Sequence, residues 1–162
     1  MFLDEKSNFL DRDGIVNKEL GDYILNFETF EIHPPLIPFM QKAKFQGYEF
    51  VIVTNQAGIA KGLYTHQLVE DCHQYLKSHL MGLGLSFLEI YYCVHHPDFG
   101  KCLCRKPKGL FIEKAIARFK IDKNASFMLG DKQRDVDAAN SAGIKGFLLP
   151  PNPTLNQLLA CL

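Results

Sequence analysis

The sequence predicts an α/β fold in which a parallel sheet of about five strands carries helices on both faces. Short apolar runs alternate with amphipathic helical patterns, and the connections between them are short, as in doubly wound sheets. A chain of 162 residues that is 47% hydrophobic and 22% charged can bury one sizeable core. No repeat, low-complexity tract or linker divides it, so we predict a single domain over residues 1–162.

The strand candidates are short apolar segments that end in polar loops. The clearest is a near-continuous apolar run at residues 48–53, which is typical of a strand buried on both faces. A separate segment, residues 27–32, alternates enough to predict a small strand or hairpin. The first sheet strand is locally weak, because the polar pair Ser7 and Asn8 precedes only two apolar residues. The five predicted sheet strands are residues 7–10, 48–53, 87–92, 125–129 and 145–149.

Helices are predicted between these strands from apolar residues three or four positions apart. The longest carries Leu68, Cys72, Leu76 and Leu80 at four-residue spacing, and Thr65 can cap its start. The five predicted helices cover residues 36–46, 66–82, 109–119, 133–142 and 154–161.

The charge balance indicates neither a nucleic-acid-binding nor a membrane-binding surface. Lys+Arg and Asp+Glu number 18 each. The segment Met1–Lys6 carries two acids and no long apolar run, so it does not resemble a signal peptide. No stretch approaches the roughly 18 apolar residues of a transmembrane helix. We therefore expect a cytoplasmic, monomeric enzyme or binding module with no nucleic-acid or membrane partner.

Polar residues follow four of the predicted strands. In open α/β sheets, ligands bind at the carboxyl ends of the strands, where the loops meet at one edge. Four such loops with chemically useful side chains predict an active site at that edge. The residues are Asp11 and Asp13, Thr54 and Asn55, Arg105 and Lys106, and Asp131.

These residue types match the needs of phosphoryl transfer through an aspartyl intermediate. Asp11 is the candidate nucleophile, and Asp13 is the candidate acid and base for the leaving oxygen. Thr54 offers a hydroxyl and Lys106 a positive charge to the transferring oxygens. Asp131 would complete an oxygen-rich Mg²⁺ site with Asp11.

The loop after the second strand is a candidate anion cradle. The run Asn55-Gln56-Ala57-Gly58 can turn backbone N–H groups toward a phosphate. Asp135, one helical turn beyond Asp131, can support Lys132 or the cation-binding loop. Alternatives remain at single positions, since Asp131 can be only a helix N-cap and the first acidic loop an ordinary turn.

The cysteines predict a metal site. Three of the five cysteines fall within twelve residues, which in a cytosolic protein indicates metal binding more than disulfides. With one histidine they offer a closed tetrahedral set for a structural Zn²⁺ in a loop at about residues 93–104. His95 and His96 both fit the spacing. Cys72 and Cys161 stand alone and are expected to be buried small hydrophobes. The predicted ligands are Cys93, His95, Cys102 and Cys104.

Four motifs resemble those of the haloacid dehalogenase (HAD) superfamily of phosphatases, and the resemblance covers about residues 9–149. It is closer to the D-glycero-D-manno-heptose-1,7-bisphosphate 7-phosphatases and the related histidinol-phosphate phosphatases. The resemblance implies a capless, Rossmann-like fold whose pocket is roofed only by short loops. The motifs are Asp11-Arg12-Asp13-Gly14, Val53-Thr54-Asn55-Gln56, Arg105-Lys106-Pro107 and Gly130-Asp131-Lys132-x-x-Asp135.

The resemblance also implies roles for individual residues. Arg105 would bind a second anionic group of the substrate, and the loop from Glu19 to Tyr23 would line a sugar pocket. His95 is favoured over His96 as the zinc ligand. Asp11, Asp13 and Asp131 would form the Mg²⁺ site. The residues expected to contact substrate are Arg12, Glu19, Tyr23, Asn55, Gln56, Ala57, Arg105 and Lys132.

The resemblance implies removal of the 7-phosphate of a heptose bisphosphate, on the route to nucleotide-activated heptose for lipopolysaccharide. Three departures from the heptose pattern keep other substrates open: Lys108 follows Pro107, the loop between His95 and Cys102 is short, and the segment around Asp22 carries an extra residue. One alternative is a histidinol-phosphate or broad sugar-phosphate phosphatase on the same scaffold. The other is a non-catalytic zinc-stabilised binding domain.

Overall fold

Five parallel strands form one sheet at the centre of the molecule. The computed structural model describes residues 4–162. The first three residues of the predicted domain, which also begin the Met1–Lys6 segment discussed above, lie outside the described residues. The strands are β1 (Lys6–Leu10), β2 (Tyr48–Asn55), β3 (Glu89–Cys93), β4 (Phe127–Gly130) and β5 (Lys145–Leu148). Their order in the sheet is β3-β2-β1-β4-β5, so β1 is central. This arrangement confirms the predicted fold class.

Helices cover both faces of the sheet, as predicted. The helices are α1 (Leu36–Phe45), α2 (His66–Met81), α3 (Leu110–Phe119), α4 (Gln133–Ala142) and α5 (Leu155–Leu159). Leu10 of β1 belongs to a buried cluster with residues of α1, α2 and α5, whereas its neighbour Phe9 packs with residues of α3 and α4. Successive side chains of a strand point to opposite faces, so each face of β1 has its own core. Within residues 4–162, no helix has the length and apolar character needed to cross a membrane.

The locally weak first strand is the most enclosed part of the sheet. Ser7 and Asn8 have no solvent exposure. Parallel pairing with β2 on one side and β4 on the other satisfies their backbone, and the Ser7 N–H donates to Ser126 Oγ at 2.9 Å. Tertiary pairing therefore overrides the polar character of this strand.

The segment at residues 27–32 does not form the small strand or hairpin that its alternation predicted. Phe27–Thr29 form a short 3₁₀ helix, and Ile32 makes only an isolated bridge with Asn17. The cause is local capping, because Asn26 Oδ1 accepts a hydrogen bond from the Thr29 N–H at 3.1 Å. The segment belongs to the long loop between β1 and α1.

The carboxyl ends of the strands and the segments that follow them carry the predicted site residues, with Thr54 and Asn55 as the last two residues of β2. The connections after β1 and β2 are residues 11–35 and 56–65, and neither contains an inserted domain. Thr65 caps α2 as predicted, with its Oγ1 accepting from the Leu68 N–H at 3.2 Å. The edge of the sheet is therefore roofed by loops alone, in agreement with the capless architecture.

Candidate active site

Lys106 is buried against the candidate nucleophile. Its Nζ donates to Asp11 Oδ1 at 2.8 Å and to the Val53 carbonyl at 2.7 Å, and it forms an ion pair with Asp135 Oδ1 at 2.7 Å. Only 1% of Lys106 is exposed. Because both acids oppose the cost of burying the ammonium, the pKa of Lys106 is raised above its ordinary value. Lys106 therefore remains a cation at the end of β1.

Asp11 lies at the carboxyl end of the central strand with one oxygen in use. Oδ1 accepts from Lys106 and from the Arg12 N–H at 2.9 Å, which leaves Oδ2 for other partners. Burial raises the pKa of Asp11 to about 7, against the opposing charge of Lys106. Asp135 and Asp13 add to this rise. The carboxylate form of Asp11 consequently gains from any further cation nearby.

Asp131 lies close enough to Asp11 to share a bound cation with it. Oxygens of Asp11, Asp131 and Asp135 lie within 4.8 Å of one another. Both carboxylate oxygens of Asp131 are buried without a hydrogen bond from any described residue, and Lys132 Nζ lies 3.3 Å from Oδ2. Gly14 is needed beside them, since a Cβ there would lie 2.6 Å from Asp131 Oδ2. A buried carboxylate with unused oxygens is suited to a divalent cation.

Asp13 is held apart from this acidic group. Its oxygens accept from Arg12 Nη2, Asn17 Nδ2 and Gln56 Nε2, each at 2.9 Å. Burial alone would raise the pKa of Asp13, but the Arg12 charge and these hydrogen bonds outweigh it and hold the pKa below its ordinary value. Asp13 is not in the group of acids whose oxygens lie within 4.8 Å of one another, whereas Asp135 is. The role of Asp13 at a Mg²⁺ site stays a prediction.

Gln56 links Asp13 to Thr54 and Tyr64 through its side-chain amide. Its side-chain NH₂ donates to both Asp13 Oδ2 and Thr54 Oγ1 at 2.9 Å, and its Oε1 accepts from the Tyr64 hydroxyl at 2.7 Å. The Gln56 backbone N–H donates to the Cys93 carbonyl at 2.7 Å. The expectation that this N–H would face an anion is therefore wrong, because it extends the pairing of β2 with β3. Ala57 and Gly58 remain the candidates for that role.

Asn55 fixes the backbone of Lys106. Its Nδ2 donates to the Lys106 carbonyl at 3.2 Å, and its Oδ1 accepts from the Lys106 N–H at 3.1 Å. This reciprocal pair joins residues 51 positions apart in the sequence. Asn55 also lines the cavity described next, but both functional groups of its amide are used in positioning Lys106.

A cavity of about 380 Å³ opens over these residues. Acidic groups dominate its lining, and the two basic groups, Lys132 and Arg134, follow β4. Glu19 and Tyr23 lie on its wall, as the resemblance implied. The lining comprises Asp11, Asp13, Glu19, Gly21, Asp22, Tyr23, Ile24, Asn55, Gln56, Tyr64, Asp131, Lys132 and Arg134.

Three of the predicted substrate contacts, Arg12, Ala57 and Arg105, do not line this cavity. Ala57 is buried. Arg12 is 2% exposed and packs over Phe30 while binding Asp13, so it is enclosed in the protein instead of lining the cavity. Arg105 lines a separate cavity with Lys101 and Lys108, and its guanidinium donates to the His95 carbonyl at 3.3 Å. The position of each arginine next to a candidate catalytic residue in the sequence did not predict where its side chain points.

Three residues that contact or line the site were not predicted from the sequence: Asn17, Tyr64 and Arg134. Asn17 follows Asp13 by four residues, a spacing that is compatible with an amide returning to the acid, but nothing in the sequence distinguishes it from a surface asparagine. Tyr64 packs so closely on Gly58 that a Cβ there would lie 2.1 Å from its ring. Such contacts depend on the loop fold and leave no local signal.

The Cys/His loop gathers its four predicted ligand atoms. Atoms of Cys93, His95, Cys102 and Cys104 lie within 4.8 Å of one another. His95 Nδ1 is 3.5 Å from Cys93 Sγ and 3.4 Å from Cys104 Sγ. His96 instead accepts from the Asp98 N–H at 3.2 Å. Outside the loop Cys72 is buried as expected, whereas Cys161 is only partly buried.

The fold and the site define a phosphatase of the HAD superfamily. The HAD-hydrolase-like family model matches residues 103–154. A D,D-heptose 1,7-bisphosphate phosphatase from B. bronchiseptica, solved with magnesium and phosphate, superposes with a TM-score of 0.83 at 28% identity. The superposition covers 97% of this chain and 87% of that one.

Sequence relatives identify the family within this class. The D-glycero-α-D-manno-heptose-1,7-bisphosphate 7-phosphatase of Photorhabdus laumondii is 37% identical over 96% of this chain and 91% of its own length. A Helicobacter pylori relative named for the β anomer is 41% identical over 89% of this chain and 83% of its own length. The chain belongs to the D-glycero-D-manno-heptose-1,7-bisphosphate 7-phosphatase family, which confirms the resemblance.

Proposed function

We propose that this enzyme removes the 7-phosphate of D-glycero-D-manno-heptose 1,7-bisphosphate, with Asp11 as the nucleophile. The reaction would serve the synthesis of ADP- or GDP-heptose for the lipopolysaccharide core. The observation that carries the proposal is the pairing of Asp11 with buried Lys106 at the end of the central strand, beside a cavity with unused Asp131 oxygens. The names of the relatives support the heptose bisphosphate as substrate.

In the first step, Oδ2 of Asp11 attacks the phosphorus and the bond from phosphorus to the sugar oxygen breaks. Lys106 keeps the Asp11 carboxylate oriented through Oδ1, so the free oxygen faces the cavity. In the second step, water attacks the phospho-Asp11 phosphorus, and the bond from phosphorus to Asp11 Oδ2 breaks. This releases inorganic phosphate and restores the Asp11 carboxylate. Both steps place negative charge where Thr54 and the Ala57 and Gly58 N–H groups are candidates to bind it.

Asp13 is the proposed acid and base. It donates a proton to the departing sugar oxygen and later accepts one from the attacking water. Its hydrogen bonds with Arg12 and Gln56 favour the carboxylate. It must therefore loosen from these partners when it takes up the proton that it donates.

Asp11, Asp131 and Asp135 fit a Mg²⁺ site. The orphaned oxygens of Asp131 support the assignment, and Mg²⁺ favours one or two carboxylates together with water and phosphate. Asp135 is already engaged by Lys106 and by the Lys132 N–H at 3.0 Å, so Asp11 and Asp131 are the proposed direct ligands. A bound Mg²⁺ would neutralise charge on the phosphate oxygens.

The Cys/His loop fits a structural Zn²⁺. Cys93 Sγ and Cys102 Sγ are 3.7 Å apart, close to the roughly 3.8 Å between two sulfurs on one tetrahedral zinc. Four protein ligands would leave no open position, so this metal would take no part in the chemistry. Its proposed role is to hold the loop that delivers Lys106, which lies two residues after Cys104.

A phosphate-release screen over phosphorylated metabolites, with and without Mg²⁺, tests the function. We expect the highest kcat/KM for heptose 1,7-bisphosphate. The short loop between His95 and Cys102 favours histidinol phosphate as the alternative substrate. A higher kcat/KM for histidinol phosphate would identify the enzyme as a histidinol-phosphate phosphatase. Asp11→Asn should lower kcat by at least about a thousandfold, because covalent catalysis loses its nucleophile. Unchanged turnover in that variant would exclude phospho-Asp11.

A further inference from the structure

Residues 150–153 lie against the loop of residues 19–23, which lines the cavity. The side chain of Asn152 joins the two segments. Asn152 Oδ1 accepts from the Glu19 N–H at 2.7 Å, and its Nδ2 donates to the Glu19 carbonyl at 3.1 Å. The Asn152 backbone N–H donates to the Gly14 carbonyl at 2.8 Å. Asn152 thus contacts two points of the connection after β1: Gly14, which follows Asp13, and Glu19, which lines the cavity.

Asparagine suits this position for two reasons. Its φ of 56° lies in the left-handed region, which asparagine tolerates better than other non-glycine residues. Its short amide carries one donor and one acceptor, so it can satisfy the N–H and the carbonyl of the same residue. An aspartate would lose the donor, and alanine would lose both groups.

Residues 150–153 are anchored independently of the Asn152 side chain. His33 is buried, and its Nε2 donates to the Pro153 carbonyl at 2.7 Å. The helix that follows, α5, buries Leu158 fully in the core beside α1. Residues 150–153 are therefore fixed to the scaffold, whereas the loop residues Leu20, Asp22 and Tyr23 are exposed. The two hydrogen bonds of Asn152 with Glu19 tie that loop to the scaffold.

We propose that Asn152 is a positioning residue that sets the Glu19–Tyr23 wall of the cavity and so determines selectivity for the sugar part of the substrate. This inference rests on the proposed function. Glu19, Asp22 and Tyr23 line the side of the cavity formed by this loop, while the phosphate chemistry belongs to Asp11 and its neighbours on the sheet edge. Acidic and phenolic groups are suited to bind sugar hydroxyls, since each can accept a hydrogen bond.

The variant Asn152→Gly isolates the side chain. Glycine keeps the left-handed backbone and the N–H bond to Gly14, and only the two contacts to Glu19 are lost. Loss of two solvent-accessible hydrogen bonds should raise KM for heptose bisphosphate roughly five- to tenfold, with kcat within about twofold. Activity on p-nitrophenyl phosphate, which has no sugar hydroxyls, should change less than about twofold. Asn124→Gly, an exposed asparagine between α3 and β4, is the matched control and should leave both substrates unaffected.

A second variant and a melting curve separate positioning from folding. Asn152→Asp should raise KM for the bisphosphate at least as much as Asn152→Gly, because a carboxylate would face the Glu19 carbonyl, and thermal unfolding of both should match wild type. Equal losses on both substrates, or no rise in KM, would overturn the role of Asn152. If another phosphate ester proves to be the preferred substrate, the heptose assignment fails, and the same variants measured on that ester test Asn152.

Discussion

Lys106 Nζ lies 2.8 Å from Oδ1 of Asp11, although 95 positions separate the two residues in the sequence. The contact joins the end of the central strand to the loop that follows β3. Asp135 approaches the same ammonium at 2.7 Å, from the first turn of α4. The end of β1, the loop after β3 and the first turn of α4 therefore meet at one buried cation. Removal of that cation should affect both stability and chemistry.

Lys106→Met should destabilise the protein by about 3–5 kcal/mol, because it leaves Asp11 and Asp135 buried without their shared cation. Urea denaturation measures the loss. Adding Asp135→Asn to that variant should recover part of it, since one of the two like charges disappears. The exposed Lys101→Met serves as the control and should change the free energy of unfolding by less than about 0.5 kcal/mol. If Lys106→Met unfolded like this control, the buried ion pairs would carry no net stability.

The pH dependence of stability should reveal the raised pKa of Asp11. Burial moves this pKa from 3.8 to about 7, so between these values the folded protein holds a proton that the unfolded chain has released. The Asp11 contribution to stability therefore falls as pH rises through this window, by at most about 1.4 kcal/mol per pH unit. We expect the difference in free energy of unfolding between wild type and Asp11→Asn, measured in magnesium-free buffer, to decrease from pH 4 to 7.

Asp13→Asn provides the opposite control for that titration. The pKa of Asp13 is lowered, so its contribution is complete above the ordinary value of 3.8 and is lost only as pH falls below it. The difference in free energy of unfolding between wild type and Asp13→Asn should therefore stay constant between about pH 5 and 7. Parallel curves for the two variants would contradict the different environments of the two acids.

Elemental analysis tests the metal assigned to the Cys/His loop. Wild type should contain about one zinc per chain, Cys93→Ser should contain much less, and thermal stability should fall with the metal. Cys161→Ser is the matched control, because Cys161 lies outside the ligand group and should keep the zinc. A fully folded and active wild-type protein without zinc would remove the structural role of this metal.

The two arginines near the site differ in their expected effect on substrates with a second phosphate. Arg134 lines the main cavity, where Lys132 is the other basic group, whereas Arg105 lines a separate cavity. Arg134→Gln should therefore lower the ratio of kcat/KM for the bisphosphate to that for p-nitrophenyl phosphate by roughly tenfold, the usual scale of one charge-assisted hydrogen bond. Arg105→Gln should lower it less. The reverse order would mean that Arg105 turns into the main cavity when substrate binds.

Most of the fold followed from sequence patterns. The buried run that became β2 and the four-residue spacing of α2 are local features, because a strand or helix with a strong apolar face shows it in consecutive residues. The segment at residues 27–32 was mistaken for a strand, since its alternation was weak and an Asn26 cap decided its conformation. Local pattern fails where a single side-chain contact sets the backbone.

The site was less fully predictable than the fold. Motifs after strands indicated Asp11, Asp131 and Lys106, because the carboxyl ends of parallel strands share one edge. Side-chain direction was not accessible in the same way, as the buried Arg12 and the outlying Arg105 show. Asn152 contacts Glu19 from 133 positions away, a separation that no motif spans.

The acidic loop Asp11-Arg12-Asp13-Gly14 and the loops after the other strands were determined by the sequence itself, and they indicate a phosphatase of the HAD type. Only the tertiary structure decided the different states of the two acids. Asp11 is buried beside Lys106 and has a raised pKa, whereas Asp13 binds Arg12, Asn17 and Gln56 and has a lowered one. The reason is physical: identical carboxyl groups acquire different proton affinities only through the burial and the charges that folding brings to them.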